Sequence, residues 1–449
     1  MSNFEIPRRQ NHTAGVLILA LLIFLFFYSL FLQNLLWLQI LMGIFTIYAC
    51  GLLLIPFYDQ KQPWVKNNSY KPFVNIFIPA KNEEAVIGNT LSSLSKLSYH
   101  QEDKPNFEII VINDGSTDRT GEIAHEFQSK FPFIRVLSRP QIGKGGKSAA
   151  LNYALKNSQG EVTAVFDADT QVDSNFLQAS VPLLAGDLTA GVQGRVKLYN
   201  PNENLITSLQ NDEFLIFNHL TQKGKDLMNG VTCLGGNGQL VKRQVLEKIN
   251  GWNEESVTED FDLTFRLLFM GYKVRYAENA ILWQEACSSW SPLIRQRIRW
   301  GEGLLTSCFD FFIPLLLSKT SWMQKIDGIL TLTRILLPFW VITGYVCELF
   351  FLFENQTHES FLTSFLLTVL TLFFFMTMGS AVKQESPDSW KEIIKKILFY
   401  WLYTLLWIFV LPFSYVNYFK LNRSVFWDKT LHKGTADNPL AYSTSRIRQ

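Results

Sequence analysis

EIIVINDGS, at residues 108–116, is the stretch that decides the fold of this chain. Its first five residues are rich in β-branched side chains and predict a buried strand, and Asn113-Asp114-Gly115 is a turn that stops it. Helical spacing follows over residues 118–127, where Ser116 or Thr117 is available to cap the helix. The stretch therefore predicts one strand–turn–helix step of an α/β domain.

The same alternation continues on both sides of this stretch. Val74–Ile78 predicts a strand, Glu83–Leu97 a helix and Val162–Phe166 a further buried strand. Strands that alternate with helices indicate a mainly parallel sheet covered by helices. Such sheets bind ligands beyond the carboxyl ends of their strands. Polar residues follow the three predicted strands: Lys81-Asn82-Glu83-Glu84, Asn113-Asp114 and Asp167-Ala168-Asp169.

Hydrophobic residues make up 48% of the 449 residues, and they are concentrated at both ends of the chain. The apolar runs approach the roughly 20 residues that a membrane helix needs. They are Ala14–Leu32, Leu35–Phe57, and about 329–353, 361–382 and 397–419. A formal net charge of +2 gives no global field for nucleic acid, so no nucleic-acid partner is expected. The five cysteines form no Cys-x-x-Cys pair, which disfavours a zinc site or a disulfide framework.

These patterns predict five regions in an integral membrane protein. They are two N-terminal transmembrane helices (1–58), an α/β domain (70–303), an interfacial helix region (304–325), about three C-terminal transmembrane helices (326–420) and a basic tail (421–449). The interfacial helix is expected at Phe309–Leu317, which is short and interrupted by Pro314. The positive-inside rule places the α/β domain in the cytosol. Five spans would leave the basic tail outside, so the number of C-terminal spans stays open.

Asp167 and Asp169 are candidate metal ligands. We expect the segment to be extended, so that these carboxylates, two residues apart, face the same side. Two hard oxygen ligands suit Mg²⁺ or Mn²⁺, with diphosphate oxygens filling other positions. The alternative is an ordinary surface turn, since Asp-x-Asp is common. The position directly after a predicted buried strand favours the metal site.

Asp114 and Glu83 are candidates for binding a nucleotide whose diphosphate would lie at Asp167 and Asp169. Asp114 lies at the carboxyl end of a predicted strand, where its carboxylate could accept hydrogen bonds from a base or a ribose. Glu83 follows the first predicted strand. Its alternative role is that of a carboxylate in the first turn of a helix, where it interacts with the helix dipole.

Glu259 and Asp260 follow Thr258, which is placed to cap the helix that Gly271 ends. Asp260 is the candidate general base, because an acceptor hydroxyl becomes a better nucleophile when a carboxylate takes its proton. A single displacement would invert the anomeric centre of an α-linked sugar donor. Compensation of the helix dipole is the alternative explanation for both carboxylates.

The box QRIRW at residues 296–300 precedes the second set of apolar runs. Arg299 is a candidate for binding a diphosphate, and Trp300 offers a flat surface on which an acceptor could stack. Gln296 belongs to the same acceptor side, together with Glu259. The alternative is a basic patch that touches anionic lipid.

Two glycine-rich stretches have weaker signals. KGGKS at residues 144–148 lacks the spacing of a phosphate-binding loop, so nucleoside triphosphate hydrolysis is rejected. Its lysines and glycines could line a donor site or form a flexible basic loop. GGNG at residues 235–238 indicates either a close backbone passage beside a ligand or a plain turn.

In this order the motifs resemble those of the membrane-bound inverting glycosyltransferases of family 2. The match runs from Val74 to Gly303 and includes PAKNEE, NDGSTD, DAD, TED and QRIRW. The resemblance implies an α/β GT-A fold, in which a nucleotide-sugar-binding, mainly parallel sheet forms a cytosolic domain embedded between α-helical transmembrane segments. It also implies a UDP-sugar donor and a Mg²⁺ or Mn²⁺ cofactor.

The resemblance assigns roles to individual residues. Asp114 would contact the uridine, Asp167 and Asp169 would hold diphosphate and metal, and Asp260 would be the base. Gln296, Arg299 and Trp300 would serve the acceptor and the diphosphate.

The acceptor depends on the subfamily. The extension QRIRWGEG is similar to bacterial enzymes that move glucose from UDP-glucose to diacylglycerol. The Gln-x-x-Arg-Trp box is also typical of processive synthases of poly-N-acetylglucosamine or cellulose, whose acceptor is the growing glycan. A different class, a non-catalytic membrane scaffold, is disfavoured by the intact acidic motifs.

Overall fold

The computed structural model describes residues 16–17, 20–21, 23–28, 36–58, 65–139, 145–353 and 360–419. These residues form two compact units. The sheet unit contains the described residues of 62–222 and 231–296. The helical unit contains those of 1–61, 223–230 and 297–420. Nine of the 19 residues of the first predicted span, Ala14–Leu32, and the whole basic tail lie outside the described residues.

The strands of the described part of the sheet unit, in chain order, are β1 (Val74–Ala80), β2 (His100–Gln101), β3 (Lys104–Pro105), β4 (Phe107–Asn113), β5 (Ile134–Ser138), β6 (Val162–Val165), β7 (Gln171–Val172), β8 (Thr189–Leu198), β9 (Gln239–Lys242) and β10 (Lys273–Gln284). Eight of them form one sheet in the order β5-β4-β1-β6-β9-β8-β10-β7. The remaining two, β2 and β3, pair with each other in an antiparallel ribbon.

The sheet is mostly parallel, as the sequence predicts, but its second half is mixed. β5, β4, β1 and β6 are parallel neighbours, and β8 and β10 are also parallel. β9 runs antiparallel to both β6 and β8 and so joins the two parallel groups. β1 is buried along its whole length, which agrees with a sequence that is apolar except for Asn75.

Helices of the sheet unit are α2 (Ile87–Leu94), α3 (Thr120–Lys130), α4 (Gly146–Lys156), α5 (Phe176–Ser180), α6 (Leu205–Glu213), α8 (Arg243–Lys248) and α9 (Glu259–Phe269). A 3-10 helix spans Val181–Ala185 and a π-helix spans Phe214–Leu220. Alternate residues of the central strands enter two different apolar clusters: Ile109 and Val111 pack with α2 and α3, whereas Ile110 and Ile112 pack with α4, α8 and α9. Helices therefore cover both faces of the sheet.

The predicted caps of α3 are wrong. The helix begins at Thr120, Arg119 occupies the N-cap position, and Asp118 Oδ1 accepts the hydrogen bond of the Thr120 N–H at 3.0 Å. Ser116 Oγ instead accepts a bond from the Asn82 N–H, and the Thr117 N–H donates to Asn82 Oδ1. These residues therefore tie the turn after β4 to the turn after β1, because the two strands end side by side.

The helical unit contains α1 (Leu36–Tyr58), α7 (Thr221–Leu227, most of which lies in this unit), α10 (Trp290–Leu317, from Arg297 onward), α11 (Trp322–Thr333), α12 (Leu337–Phe353), α13 (Ser360–Glu385), α14 (Trp390–Thr404) and α15 (Leu406–Phe419). A 3-10 turn, Arg334–Leu336, joins α11 to α12. Within the described residues, four helical stretches are long and apolar enough to cross a membrane: 36–57, 290–317, 322–344 and 390–419.

The sequence predicted that the α/β domain ends at residue 303 and that an interfacial helix region begins at residue 304. In the described structure one helix, α10, runs through this point. Residues 309–317, expected as a separate interfacial helix, are the last part of α10, which continues through Pro314 for a total of 28 residues. A proline in a helix removes one backbone hydrogen bond, and the flanking turns of a long, half-buried helix can retain the helical path. The predicted run at 397–419 forms two helices, α14 and α15, with Leu405 between them.

Residues 223–230 belong to the helical unit although they lie within the predicted α/β domain. Lys225 Nζ lies 3.1 Å from Asp327 Oδ1, and both side chains are buried. Lys225 also donates to Thr331 Oγ1, and the Tyr48 hydroxyl donates to Asp327. A buried charge is tolerated when it is paired and hydrogen bonded, and this network satisfies both conditions.

Candidate functional site

Lys147, in the first turn of α4, is the centre of an ionic cluster. Its Nζ lies 2.6 Å from Asp167 Oδ1 and 3.3 Å from Glu259 Oε1. It also donates to the carbonyl of Gly236 at 3.2 Å. α4 and α9 pack on the same face of the sheet, so their first turns meet where β6 ends. Lys147 lies in the stretch KGGKS, for which the sequence left a role in the donor site open.

Asp260 borders the same cluster. A Cβ atom on Gly236 would lie 3.1 Å from Asp260 Oδ2 and 3.5 Å from Lys147 Nζ. Gly236 also has φ +73°, which L side chains rarely adopt. The backbone of the GGNG stretch therefore passes close to the acidic residues, and its position beside a ligand stays a prediction.

The charges around Lys147 change the acid–base properties of the cluster. Burial, and then the charge of Glu259, raises the pKa of Asp260 to about 7, against the lowering effect of Lys147. Burial acts to lower the pKa of Lys147, but the charges of Asp167, Glu259 and Asp260 outweigh it and hold this pKa above its ordinary value. Lys147 therefore keeps its positive charge, whereas Asp260 binds a proton more tightly than an exposed aspartate does.

Asp167 and Asp169 lie in a turn, so the expectation of an extended segment is wrong. Strand pairing of β6 ends at Val165, and the Thr170 N–H then donates to the carbonyl of Asp167 at 3.1 Å. Asn237 holds this turn, because its Oδ1 accepts from the Asp167 N–H at 3.2 Å and from Thr170 Oγ1 at 2.9 Å. Asn237 is thus the polar member of GGNG that supports the acidic turn.

Asp169 contacts a different part of the sheet unit. Its Oδ2 accepts from the Glu285 N–H at 3.2 Å, and Glu285 Oε2 accepts from the Tyr199 hydroxyl at 3.0 Å. Burial and then the charges of Glu285 and Asp169 raise the pKa of Tyr199, so this phenol stays protonated and continues to donate. Sequence reasoning missed Glu285, which follows β10 without any recognisable spacing to the acidic motifs.

The carboxylates offer an incomplete set of metal ligands. In the described part of the chain, no group of three or more His, Cys, Asp or Glu side chains is arranged to hold a metal ion. Mg²⁺ commonly uses one or two protein carboxylates and completes its shell with substrate phosphate oxygens and water. Asp167 and Asp169 therefore fit a cation that arrives with a diphosphate better than one held by protein atoms alone.

Asp114 is buried at the carboxyl end of β4. Its N–H donates to the carbonyl of Ala80 at 2.9 Å, and its Oδ1 lies 2.5 Å from Arg139 Nε. Its buried Oδ2 has no hydrogen-bond partner among the described residues. An unpartnered buried carboxylate oxygen is costly, and a donor such as a base N–H would satisfy it. Sequence reasoning missed Arg139, which lies just beyond β5.

Glu83 lies in the turn between β1 and α2. α2 begins at Ile87, so the alternative in which Glu83 belongs to the first helical turn is wrong. Its N–H donates to Thr120 Oγ1 at 2.7 Å, and its carbonyl accepts from the N–H groups of Val86 and Ile87. The backbone of Glu83 therefore links this turn to the start of α3.

Glu259 and Asp260 occupy the first turn of α9, as predicted, and Thr258 is the N-cap residue. The prediction that the Thr258 side chain caps the helix is wrong. In the described structure its hydroxyl accepts no hydrogen bond from the N–H groups of the first turn. Asp260 Oδ1 instead accepts from the Phe261 N–H at 2.8 Å. A carboxylate in the first turn has taken over part of the capping role, which favours its ionised form.

The three predicted residues of the box lie on α10. Gln296 belongs to the sheet unit, and Arg299 and Trp300 belong to the helical unit. Arg297, which was not assigned a role from the sequence, is fully buried, and its guanidinium carbon lies 4.1 Å from the centroid of the Trp300 ring. Its Nη2 donates to the Tyr403 hydroxyl at 3.2 Å.

Comparison with known proteins finds a matching family and several similar chains. A model of the family described as "Glycosyltransferase like family 2" matches residues 72–303. A probable glycosyltransferase of Bacillus subtilis, YdaM, is 30% identical over 90% of this chain and 97% of its own. Beta-monoglucosyldiacylglycerol synthase of Nostoc sp. is 30% identical over 88% of this chain and 84% of its own.

Two more distant matches extend the comparison. Poly-beta-1,6-N-acetyl-D-glucosamine synthase of Staphylococcus epidermidis is 26% identical over 75% of this chain and 80% of its own. Among solved structures, the mannosyltransferase PcManGT of Pyrobaculum calidifontis, in complex with GDP-mannose and Mn²⁺, superposes with a TM-score of 0.52 at 18% identity, over 82% of this chain and 99% of that one. This likeness supports the GT-A fold.

Proposed function

Because the chain belongs to glycosyltransferase family 2, we propose that it transfers glucose from UDP-glucose to 1,2-diacylglycerol. The product would be β-monoglucosyldiacylglycerol, formed with inversion at the anomeric carbon. The hydroxyl oxygen of the acceptor forms the new bond to C1, the bond from C1 to the UDP oxygen breaks, and the hydroxyl proton goes to the enzyme. The relatives named beta-monoglucosyldiacylglycerol synthase support glucose as the transferred sugar and diacylglycerol as the acceptor.

The observation that carries the proposal is the environment of Asp260. A general base works best when its pKa lies near the working pH, and burial together with Glu259 raises the pKa of Asp260 to about 7. Asp260 would accept the proton of the acceptor hydroxyl. Glu259, beside it, would help to orient the acceptor and keeps the pKa of Asp260 high.

Donor binding is proposed for Asp114, Glu83, Asp167 and Arg299. The open Oδ2 of Asp114 suits the N3–H donor of uracil, since Arg139 occupies the other oxygen. Arg299 would bind the diphosphate as a charge-assisted partner. Asp167 and Asp169 would hold Mg²⁺, or Mn²⁺ in its place, and the metal would supply charge stabilisation to the leaving diphosphate.

The acceptor side is assigned to Gln296 and Trp300, with diacylglycerol reaching the enzyme from the lipid bilayer. Four helical stretches that can cross a membrane support a lipid-soluble acceptor. The arginines and lysines that flank the apolar runs support a cytosolic position for the catalytic domain.

A donor and acceptor experiment tests the proposal. The purified protein in detergent receives radiolabelled UDP-glucose, Mg²⁺ and 1,2-diacylglycerol, and the lipid product is analysed by mass spectrometry and by NMR of the anomeric proton. We expect a lipid with one hexose in β linkage, formed only when both substrates are present. Absence of any labelled lipid, with the protein folded and UDP bound, would refute the acceptor assignment.

A second candidate is a processive β-polysaccharide synthase, which the match to poly-beta-1,6-N-acetyl-D-glucosamine synthase favours. In the same assay with UDP-N-acetylglucosamine or UDP-glucose, this function predicts a long water-soluble glycan made without added lipid. The length of the product therefore separates the two functions.

A further inference from the structure

Arg297 and Trp300 are three residues apart on α10 and therefore lie on the same side of the helix. The guanidinium carbon of Arg297 is 4.1 Å from the centroid of the indole ring. This distance is well inside the roughly 6 Å over which a cation and an aromatic face attract each other. Arg297 thus covers part of one face of Trp300, which keeps partial exposure.

Other contacts fix Arg297 itself. Its side chain is completely buried, and its Nη2 donates to the hydroxyl of Tyr403 on α14 at 3.2 Å. The attraction between a cation and an aromatic ring is stronger where water is excluded. The guanidinium therefore contacts both the indole ring of Trp300 on α10 and the hydroxyl of Tyr403 on α14.

The backbone of the same helical turn is also held from α15. Ser414 Oγ donates to the carbonyl of Ile298 at 3.1 Å. A Cβ atom on Gly301 would collide with Ser414 Oγ, so the two helices approach each other closely at this point. The turn that carries Arg297 and Trp300 is therefore supported in the backbone as well as in the side chains.

We propose that Arg297 is a positioning residue, which holds the Trp300 ring in one orientation and leaves its other face for the acceptor. This inference rests on the acceptor role proposed for Trp300. A planar guanidinium can stack on the ring and bond to Tyr403 at the same time, whereas the compact ammonium of lysine cannot reproduce this geometry. Arg297, the second residue of the box, thus supports the ring of Trp300, the fifth residue.

The orientation of the ring is measured independently of activity. The full-length protein is labelled with 5-fluorotryptophan, and the Trp300 signal in the ¹⁹F NMR spectrum is assigned by its loss in Trp300→Phe. We expect Arg297→Met to shift and broaden this signal, Arg297→Lys to do so nearly as much, and Tyr403→Phe to do so less. The other tryptophan signals report whether the protein stays folded.

Arg295→Met is the matched control, since Arg295 is an exposed arginine on the same helix that bonds to Ser291 at 2.9 Å. We expect it to leave the Trp300 signal in place. An unchanged Trp300 signal in folded Arg297→Met would overturn the inference. So would an equal shift in Arg295→Met.

Kinetics then separates this inference from the proposed function. We expect Arg297→Met to raise the KM for the acceptor roughly tenfold with little change in the KM for the donor, and Arg297→Lys not to restore it. If the ¹⁹F signal shifts but the acceptor KM does not, Arg297 still positions the ring, and the acceptor role of Trp300 is wrong.

Discussion

The sheet unit and the helical unit each place a lysine beside acidic side chains, and the net charge of the two groups differs. In the sheet unit, Lys147 faces the negative charges of Asp167, Glu259 and Asp260. In the helical unit, Lys225 pairs with Asp327, and the hydroxyls of Tyr48 and Thr331 complete their hydrogen bonds.

This difference distinguishes a site from a structural pair. A lysine with one carboxylate is neutral as a pair and is stable as it stands. A cluster with more carboxylates than cations can attract a further cation or a proton, and here one member, Asp260, has its pKa raised to about 7. An excess of charge of this kind is typical of functional sites.

The largest expected effect is that of removing the base from the acidic cluster. Asp260→Asn keeps the size of the side chain but cannot accept the proton, so turnover should fall by on the order of 10²–10⁴-fold. UDP binding, measured by calorimetry, should be largely kept. Glu255→Gln, an exposed carboxylate that precedes the same helix, is the control and should retain activity. Unchanged turnover in Asp260→Asn would remove Asp260 from the mechanism.

Breaking the pair of Lys225 and Asp327 should lower the stability of the protein without changing its turnover directly. Lys225→Met removes the ammonium group that faces the Asp327 carboxylate in this buried pair, which costs about 3–5 kcal/mol of stability. The thermal unfolding of the protein in detergent measures this loss. The double variant Lys225→Met with Asp327→Asn should recover much of it, because it removes both charges, and Lys391→Met at an exposed lysine of α14 should cost little. A double variant as unstable as the single one would contradict this account.

The pH dependence of kcat/KM distinguishes the role of Lys147 from that of Lys225. Since burial raises the pKa of Asp260 to about 7, Asp260 is protonated and inactive as a base below this pH. We expect kcat/KM to rise with pH by up to roughly tenfold per unit and to level off above about 7. Lys147→Met should move the inflection to higher pH, because the charge of Lys147 lowers the pKa of Asp260. The matching Lys225→Met should leave the inflection in place.

The smallest expected effect is that of replacing Gly236, whose backbone lies close to Asp260 and Lys147. Gly236→Ala introduces a Cβ 3.1 Å from Asp260 Oδ2 at a φ of +73°, and positive φ alone costs on the order of 1 kcal/mol. Gly271→Ala has a similar φ of +81° but open space around it, and so controls for the backbone cost. We expect both variants to be less stable and Gly236→Ala alone to lose activity. Equal activities would show that the close approach has no catalytic role.

Local patterns were sufficient to predict three of the four strands in the parallel half of the sheet, and they missed β5. β1, β4 and β6 are short, largely apolar runs ended by turn residues, and their parallel direction follows from the alternation with helices. The acidic candidates at their carboxyl ends were found for the same reason, since a strand end is visible in the sequence. Asp167, Glu259 and Asp260 do gather around one lysine.

Tertiary structure alone decided which residues support these candidates. Lys147, Asn237 and Arg139 meet partners that are 20, 70 and 25 positions away in the chain. The antiparallel insertion of β9 and the placement of residues 223–230 in the helical unit are likewise set by packing between distant segments. Periodicity and propensity describe neighbours along the chain, whereas an ion pair, an N-cap or a stacked ring depends on which distant groups the folded core brings within bonding distance.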